Sequence, residues 1–199
     1  MLPRDKKLLR IAQEITEIAK KLIKSGVTYA SLGNISARMG DMILITPSGV
    51  RLDSITSEQI VHVRISGDIV YAPRRPSVEL PMHLEIYRNI KDAKAVIHAH
   101  APFATALGTV LGEIISENEE AIAYNLRAIP ACRYAPSGTI ELAKNVVEVL
   151  KNSKATIIPN HGVVVWEENL EKALHLVEAI EHIAKVETLK QVVRAFSTT

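Results

Sequence analysis

The sequence predicts an α/β fold in which a mixed sheet carries helices on its faces. Three observations predict it: amphipathic helical patterns alternate with short β-branched runs, several of these runs are joined by tight turns, and 47% of the 199 residues are hydrophobic. A chain of this length buries about 70% of the surface that it exposes when unfolded. We therefore expect one domain, residues 1–199, that is stable without a disulfide or a structural metal.

The composition excludes several classes of protein. The 24 Lys and Arg residues against 22 Asp and Glu give a net charge of +2, far from the basic surface of a nucleic-acid-binding domain. The single cysteine, Cys132, cannot close a disulfide within the chain. No run reaches the roughly 18 apolar residues of a membrane span, and the N-terminus leads into an amphipathic stretch. We expect a soluble, cytoplasmic protein without nucleic-acid or membrane partners.

A helix and four short strands are predicted at the start of the chain. Apolar side chains recur every three or four residues from Leu8 to Ile23, and Gly26 follows where a left-handed cap is expected. His62 lies in a predicted hairpin and is expected at the surface. The two hairpins that follow the helix have strands at 34–38, 42–45, 61–65 and 69–71.

The rest of the chain alternates helices with strands. Helices are predicted from about Glu79 to Asn89, from Pro102 onward, after an N-cap at Ser137, and from about Leu170 to Ala195. The helix after Ser137 has an apolar face that consists of Ile140, Ala143, Val147 and Leu150. Strands are predicted at 94–100, 129–134, 155–158 and 162–166. The stretch 112–127 is compatible with either a loop or a helical turn.

Two histidines separated by one residue indicate a metal site. His98 and His100 share one side of a predicted strand, about 7 Å apart at Cα. Two ring nitrogens can then converge on one cation at about 2.0–2.1 Å each. Strands that expose polar surface also show this spacing. Residues 95–101 are otherwise apolar, and buried imidazoles need partners, which favours metal binding.

His161 and Glu79 could complete this site. His161 lies between two apolar strands and is followed by Gly162, which permits a close approach of backbone or ligand; an ordinary turn residue is the alternative. Glu79 begins a helix, where the helix dipole stabilises a carboxylate with or without a further function. Three imidazoles with a carboxylate suit zinc, and nickel, cobalt or iron accept the same ligands.

The other histidines fit a metal site less well. His175 and His182 lie two turns apart on one predicted helix, too far apart to share an ion. His83 follows Glu79 by one turn of helix. It could orient Glu79 or a metal ligand through a hydrogen bond, or it could simply pack in the core.

Three turns of small residues could bind an anion. Backbone N–H groups in such turns form concave sites that accept phosphate without Lys or Arg, although each turn alone is ordinary loop chemistry. A phosphate site beside a metal would hold the tail of a substrate while the metal binds its reacting oxygens. The turns are Gly33-Asn34, Thr46-Pro47-Ser48-Gly49 and Pro76-Ser77.

Five motifs occur in a fixed order: Gly33-Asn34-Ile35-Ser36, Thr46-Pro47-Ser48-Gly49, Pro76-Ser77-Val78-Glu79, His98-Ala99-His100 and Asn160-His161-Gly162. In this order the chain resembles class II aldolases of the L-fuculose-1-phosphate aldolase type, over roughly residues 8–190. The resemblance implies a three-layer α/β/α fold with a central mixed, largely antiparallel sheet. It also implies a zinc-dependent lyase that assembles as a homotetramer, with active sites between subunits.

The resemblance also implies residue roles. One Zn²⁺ per subunit would be bound by His98, His100 and His161, with Glu79 as fourth ligand or adjacent base that moves the proton to and from carbon. The implied reaction cleaves a ketose 1-phosphate reversibly into dihydroxyacetone phosphate and a short aldehyde, through an enediolate stabilised by the metal. The implied phosphate contacts are Gly33, Asn34, Ser48, Gly49, Ser77 and Val78.

The chain departs from the family pattern at two places. Val78 stands where these aldolases usually have a second serine, which removes a hydroxyl donor and leaves the backbone N–H. We expect weaker phosphate binding rather than none. The proton donor of the aldolase is a tyrosine of a neighbouring subunit, and Tyr124 is the nearest equivalent here, at an offset position.

Related activities are the alternatives. Methylthioribulose-1-phosphate dehydratases resemble the chain and tolerate an apolar residue at the Val78 position. The pentulose-5-phosphate 4-epimerases carry Asp at the Glu79 position and Lys at the Thr46 position, which points away from them. A generic metallohydrolase lacks a dedicated acid/base pair here. The non-enzymatic alternative is an adducin-like interaction module that shares the fold without the metal, against which the three histidines argue.

Overall fold

The structure, a computed structural model, describes residues 5–197. Residues 1–4 and 198–199, which the single-domain prediction includes, lie outside the described residues. The helices are α1 (Lys6–Lys24), α2 (Leu80–Asn89), α3 (Pro102–Leu111), α4 (Glu119–Ala123), α5 (Ile140–Leu150) and α6 (Leu170–Ser197). The strands are β1 (Asn34–Met39), β2 (Met42–Ile45), β3 (Val61–Arg64), β4 (Ile69–Tyr71), β5 (Ala95–Ala99), β6 (Glu113–Ile115), β7 (Ala128–Pro130), β8 (Ala155–Ile158) and β9 (Gly162–Glu167).

The predicted sheet is confirmed and is largely antiparallel. Seven strands pair in the order β4-β3-β2-β1-β5-β9-β8, and each neighbouring pair is antiparallel. A parallel bridge joins Ala131 to Ile157 beside this sheet, and β6 pairs with β7 separately. The central strands β5 and β9 are rich in Val and Ile because both of their faces are buried.

Helices cover both faces of the sheet, which makes three layers. One apolar core lies between the sheet and α1, α3 and α6, and the other lies between the sheet and α2 and α5. Side chains of β5 alternate between these cores: Ile97 enters the first and Val96 the second. His98 follows the same alternation and projects on the side of α2 and α5. No helix within residues 5–197 is long and apolar enough to cross a membrane.

Side-chain caps fix the helices that lead to the site. Asp5 caps α1 by accepting a hydrogen bond from the Lys7 N–H at 2.8 Å, and Gly26 ends that helix with φ +78°, as predicted. Helix α3 begins two residues after His100. Its first N–H groups, on Phe103 and Ala104, donate to the Glu181 carboxylate of α6 at 3.0 Å. This cap ties the end of β5 to a neighbouring helix.

Three local predictions in the second half are wrong. Thr139, not Ser137, is the N-cap of α5, because its hydroxyl accepts from the Leu142 N–H at 3.1 Å. Ile140 is exposed, and Leu142 and Val146 join Ala143, Val147 and Leu150 on the buried face. The stretch 112–127 contains strand β6 as well as the short helix α4, and the strand predicted at 129–134 is only Ala128–Pro130.

His62 is buried, contrary to prediction. His62 pairs with Leu44 of β2, whose side chain enters the first core, so the His62 side chain lies on the same covered face of the sheet. The His62 ring packs edge-on against Tyr71, with 5.4 Å between ring centroids. Neither ring nitrogen has a hydrogen-bond partner within the described part of the chain. Burial disfavours the charged form of the imidazole, and this lowers the pKa of His62.

We expect His62→Phe to stabilise the protein, and more so in acid. The unfolded chain protonates this imidazole near pH 6.5, whereas the folded chain does so only at lower pH, so stability is lost as the pH falls below about 6.5. Removing the unpartnered nitrogens should add about 1 kcal/mol at pH 7 and more at pH 5. Urea unfolding at both pH values, with the exposed His175→Phe as control, measures this. Equal pH dependence of His62→Phe and the wild type would contradict it.

Candidate active site

The residues predicted from separate motifs meet in one cleft. Its volume is about 270 Å³, and it lies where β5 ends and where the loops after α1, β2 and β4 come together. All ten predicted site residues line it: Gly33, Asn34, Ser48, Gly49, Ser77, Val78, Glu79, His98, His100 and His161. Residues far apart in the chain therefore form one candidate site, as the sequence predicts.

The three histidines form a tight cluster at the cleft. One ring nitrogen of each of His98, His100 and His161 lies within 4.8 Å of the others. Nε2 of His98 is 3.2 Å from Nε2 of His161. Two nitrogens bound about 2.0–2.1 Å from one tetrahedral zinc ion are about 3.3 Å apart. The spacing of this pair is therefore that of two ligands of a single ion.

The protonation of these rings also fits a metal site. Nδ1 of His98 lies 3.0 Å from the Val163 carbonyl oxygen and donates to it, which leaves the Nε2 lone pair facing the cluster. Burial and the neighbouring imidazoles hold the pKa of His98 well below its usual value. Burial is also the main cause that lowers the pKa of His100 to about 4 and reduces that of His161. All three rings are neutral near pH 7, as metal ligands must be.

Two glycines make this close arrangement possible. A Cβ on Gly162 would collide with the Ala99 carbonyl oxygen and approach the His98 ring, so only glycine lets the His161 turn lie against β5. Gly33 has φ +84°, and a Cβ there would lie 2.5 Å from the His98 carbonyl oxygen. Glycine at both positions therefore serves close packing around His98, as the sequence predicts for Gly162.

Glu79 lies beside the histidine cluster rather than within it. It precedes α2, and its Oε1 is 4.0 Å from Nε2 of His161. Oε1 accepts hydrogen bonds from the Ser137 hydroxyl and from the Gly138 N–H. Oε2 is buried and has no hydrogen-bond partner among residues 5–197. A buried carboxylate oxygen that has no partner among the described residues, beside three clustered imidazoles, is available to a substrate or a metal ion.

Ser137 is a site residue that sequence reasoning missed. It lines the cleft and holds the Glu79 carboxylate from 58 positions away in the sequence. Its segment, Pro136-Ser137-Gly138, repeats the Pro-Ser pattern of the other two cleft turns, Pro47-Ser48-Gly49 and Pro76-Ser77. That repetition is the signal by which it could have been found.

The anion side of the cleft offers side-chain donors. The N–H groups of Ser48 and Ser77 are used to join two turns, since they donate to the carbonyl oxygens of Arg75 and Thr46. The Ser77 hydroxyl accepts a hydrogen bond from the Glu79 N–H, and Oδ1 of Asn34 contacts His83, so the donors that face a ligand are the Ser48 and Ser77 O–H groups and the Asn34 amide nitrogen. The described lining of the cleft contains neither Lys nor Arg. An anion would therefore be held by neutral side-chain dipoles, whereas the turns predicted a cradle of backbone N–H groups, two of which are used within the protein.

The remaining candidates lie elsewhere. Tyr124 is exposed and lines a different cavity of about 920 Å³, together with His175. His182 is exposed on α6, where it contacts Glu120. His83 is fully buried and contacts the side chains of Asn34 and Ser36, not the Glu79 carboxylate.

The chain belongs to the Class II Aldolase and Adducin N-terminal domain family, whose sequence model matches residues 13–188. This confirms the class II aldolase resemblance and the three-layer fold. Within this family the chain is an aldolase, a carbon–carbon lyase.

The relatives of the chain include aldolases for different sugar phosphates. It is 35% identical to the L-fuculose phosphate aldolase of Escherichia coli (strain K12) over 182 residues, which are 89% of this chain and 82% of that protein. It is 33% identical to the 5-deoxy-D-ribulose 1-phosphate aldolase of Bacillus thuringiensis serovar kurstaki, over 87% of this chain and 82% of that protein. A solved L-fuculose 1-phosphate aldolase structure superposes with a TM-score of 0.88 at 32% identity, covering 92% of this chain and 87% of that one.

Proposed function

We propose that this aldolase cleaves a ketose 1-phosphate, of the L-fuculose 1-phosphate type, into dihydroxyacetone phosphate and a short aldehyde. The observation that carries the proposal is the position of Glu79. A carboxylate oxygen that is buried and has no partner among residues 5–197 lies beside three neutral imidazoles, at the end of a cleft lined with turns of small residues. The fuculose phosphate and deoxyribulose phosphate aldolases among the relatives act on substrates of this kind.

Zinc is the metal we propose, held by His98, His100 and His161. The donor set of three neutral nitrogens and the 3.2 Å spacing of one pair support a tetrahedral ion with an open position. Lewis acidity at the carbonyl and hydroxyl oxygens of the substrate is the chemistry that such an ion supplies when bound.

Glu79 acts as the base in this proposal. In the synthetic direction its Oε2 removes a proton from the carbon next to the carbonyl of dihydroxyacetone phosphate, that carbon attacks the aldehyde, and the former aldehyde oxygen takes a proton from water. In the cleavage direction this hydroxyl releases its proton to water as the carbon–carbon bond breaks, and the protonated Oε2 delivers a proton to the same carbon. The bonds from Ser137 and Gly138 to Oε1 hold the carboxylate so that Oε2 stays turned to the substrate.

The phosphate tail occupies the side of the cleft lined by Asn34, Ser48 and Ser77 together with Gly33, Gly49 and Val78. Neutral donors hold the tail, and Val78 contributes its backbone N–H but no hydroxyl. We therefore expect a modest affinity for phosphate. Because the phosphate tail and the reacting carbons belong to one molecule, binding of the tail by neutral donors places these carbons near Glu79.

We also propose a cytoplasmic homotetramer, in line with the resemblance. Large apolar side chains at the end of α3 and in β6 support burial against another subunit: Val110, Leu111 and Ile115 are 80%, 50% and 63% exposed. Sedimentation of the purified protein measures the assembly, and a monomer at micromolar concentration would contradict it.

The function is tested by measuring metal content and turnover together. The purified protein should hold about one equivalent of zinc and form new ketose 1-phosphates from dihydroxyacetone phosphate and a panel of short aldehydes. Turnover of methylthioribulose 1-phosphate by dehydration, or of ribulose 5-phosphate by epimerisation, without aldol product would overturn the proposed reaction. The panel also decides between lactaldehyde and other short aldehydes as the partner.

We expect Ser137→Ala to lower kcat by about 10–100-fold with little change in metal content. The substitution removes one hydrogen bond to a buried carboxylate, which is worth about 1.5–3 kcal/mol. Steady-state kinetics and metal analysis measure it, and Ser153→Ala, far from the cleft, is the control. An unchanged kcat would mean that the Gly138 N–H alone positions Glu79.

A further inference from the structure

A chain of four buried polar side chains runs from the second core to the cleft. Tyr87, Ser36 and His83 are fully buried or nearly so, and Asn34 lines the cleft at its end. The Tyr87 hydroxyl lies 2.8 Å from Ser36 Oγ, which lies 2.6 Å from His83 Nδ1. Nε2 of His83 lies 2.5 Å from Oδ1 of Asn34. Residues of α2 are thereby connected to the start of β1.

The direction of each hydrogen bond in this chain follows from the last one. Oδ1 of Asn34 can only accept, so Nε2 of His83 carries the proton. Burial lowers the pKa of His83 to about 3, so the ring is neutral and its Nδ1 can only accept. The Ser36 hydroxyl then donates to Nδ1, and the Tyr87 hydroxyl donates to Ser36. Burial raises the pKa of Tyr87, which keeps that proton in place.

The contact between His83 and Oδ1 also determines what Asn34 presents to the cleft. With Oδ1 held by His83, the amide nitrogen is the group that Asn34 offers to the cleft. The reverse orientation would present a carbonyl oxygen, which repels an anion. The cleft lining described above has neither Lys nor Arg. The orientation of the Asn34 amide therefore largely determines whether the cleft prefers anions.

We propose that His83 is a positioning residue that fixes the Asn34 amide as a donor to the phosphate group of the substrate. This inference rests on the proposed function for the identity of the ligand. It differs from both alternatives predicted for His83 from the sequence, which were to orient Glu79 or a metal ligand or to pack in the core.

The binding test uses zinc-loaded protein and glycerol 3-phosphate, a phosphate monoester without a carbonyl group. Calorimetry should show that His83→Phe raises its Kd by at least about tenfold, while metal content stays unchanged. Asn34→Asp, which replaces the donor by an acceptor, should raise Kd at least as much. Combining the two should add little, because both variants remove the same interaction. Binding by His83→Phe within twofold of the wild type would overturn the proposal.

The control separates positioning from stability. Ile86→Ala removes a buried side chain of the same helix, outside the polar chain, and should lower stability without changing Kd. Where aldol turnover is measurable, His83→Phe should raise KM for the phosphorylated substrate by a similar factor and change kcat less than threefold. Equal effects of Ile86→Ala and His83→Phe on Kd would overturn the proposal.

A second measurement needs no variant and no turnover. Nitrogen-15 spectra of the wild-type imidazoles should show His83 as the neutral tautomer protonated at Nε2, unchanged between pH 6 and 8. The tautomer protonated at Nδ1 would reverse the whole chain, turn the Asn34 oxygen to the cleft and overturn the proposal. Because neither measurement depends on catalysis, absence of aldolase activity would refute the proposed reaction and leave this inference to be judged separately.

Discussion

His100→Ala is expected to lose both the metal and the activity while the chain still folds. The remaining two imidazoles provide too few ligands to retain zinc through dialysis, so metal content should fall below about 0.1 equivalent. Activity should fall by at least about 10³-fold, since Lewis-acid stabilisation is worth several kcal/mol. His100 is partly exposed at the end of β5, so its removal leaves a smaller cavity than removal of the fully buried His98 would.

The matched control is His175→Ala, which removes an exposed histidine of α6. It should retain the wild-type metal content and kcat. Circular dichroism and urea unfolding should show that His100→Ala unfolds cooperatively. Metal content and turnover that survive His100→Ala would show that the ligand assignment is wrong.

Glu79→Gln is expected to abolish most of the turnover but to leave the metal in place. Glutamine keeps the size of the side chain and removes its capacity to accept a proton, so kcat should fall by about 10²–10⁴-fold. In heavy water the wild-type enzyme should exchange the proton of dihydroxyacetone phosphate that Glu79 removes, and the variant should not. This exchange reports the proposed proton transfer without requiring an aldehyde.

Glu85→Gln is the control on the same helix, where Glu85 forms an ion pair with Arg88 at 3.1 Å. It should leave kcat and metal content unchanged. Loss of zinc from Glu79→Gln would make Glu79 a metal ligand, the other role that the resemblance implies. Exchange and turnover within threefold of the wild type would refute the assignment of Glu79 as the base.

The histidine cluster could be predicted because each part of it has a local pattern. Alternation along a strand places His98 and His100 on the same side, and Gly162 marks the turn that lets His161 approach β5. The turns that line the cleft were likewise marked by Gly, Ser and Pro. What remained open was which of these segments would meet, and the order of the family motifs supplied that information.

The contacts that were not predicted join residues far apart in the sequence. Ser137 is a residue type that commonly caps helices. Its hydrogen bond to Glu79 depends on where α5 packs against α2. His83 contacts Asn34, 49 positions away, and only the sheet brings the two together. His62 is buried because it pairs with Leu44 on the face of the sheet that carries the first core, and no local pattern shows which strands pair.

X-ray absorption at the zinc edge of the loaded enzyme is the decisive measurement for the three-histidine metal site. With three histidines around one ion, the spectrum should show three imidazole nitrogens about 2.0–2.1 Å from the metal and light oxygen or nitrogen scatterers only. A shell with one imidazole or none, or with a sulfur scatterer, would contradict the site on which every later step depends.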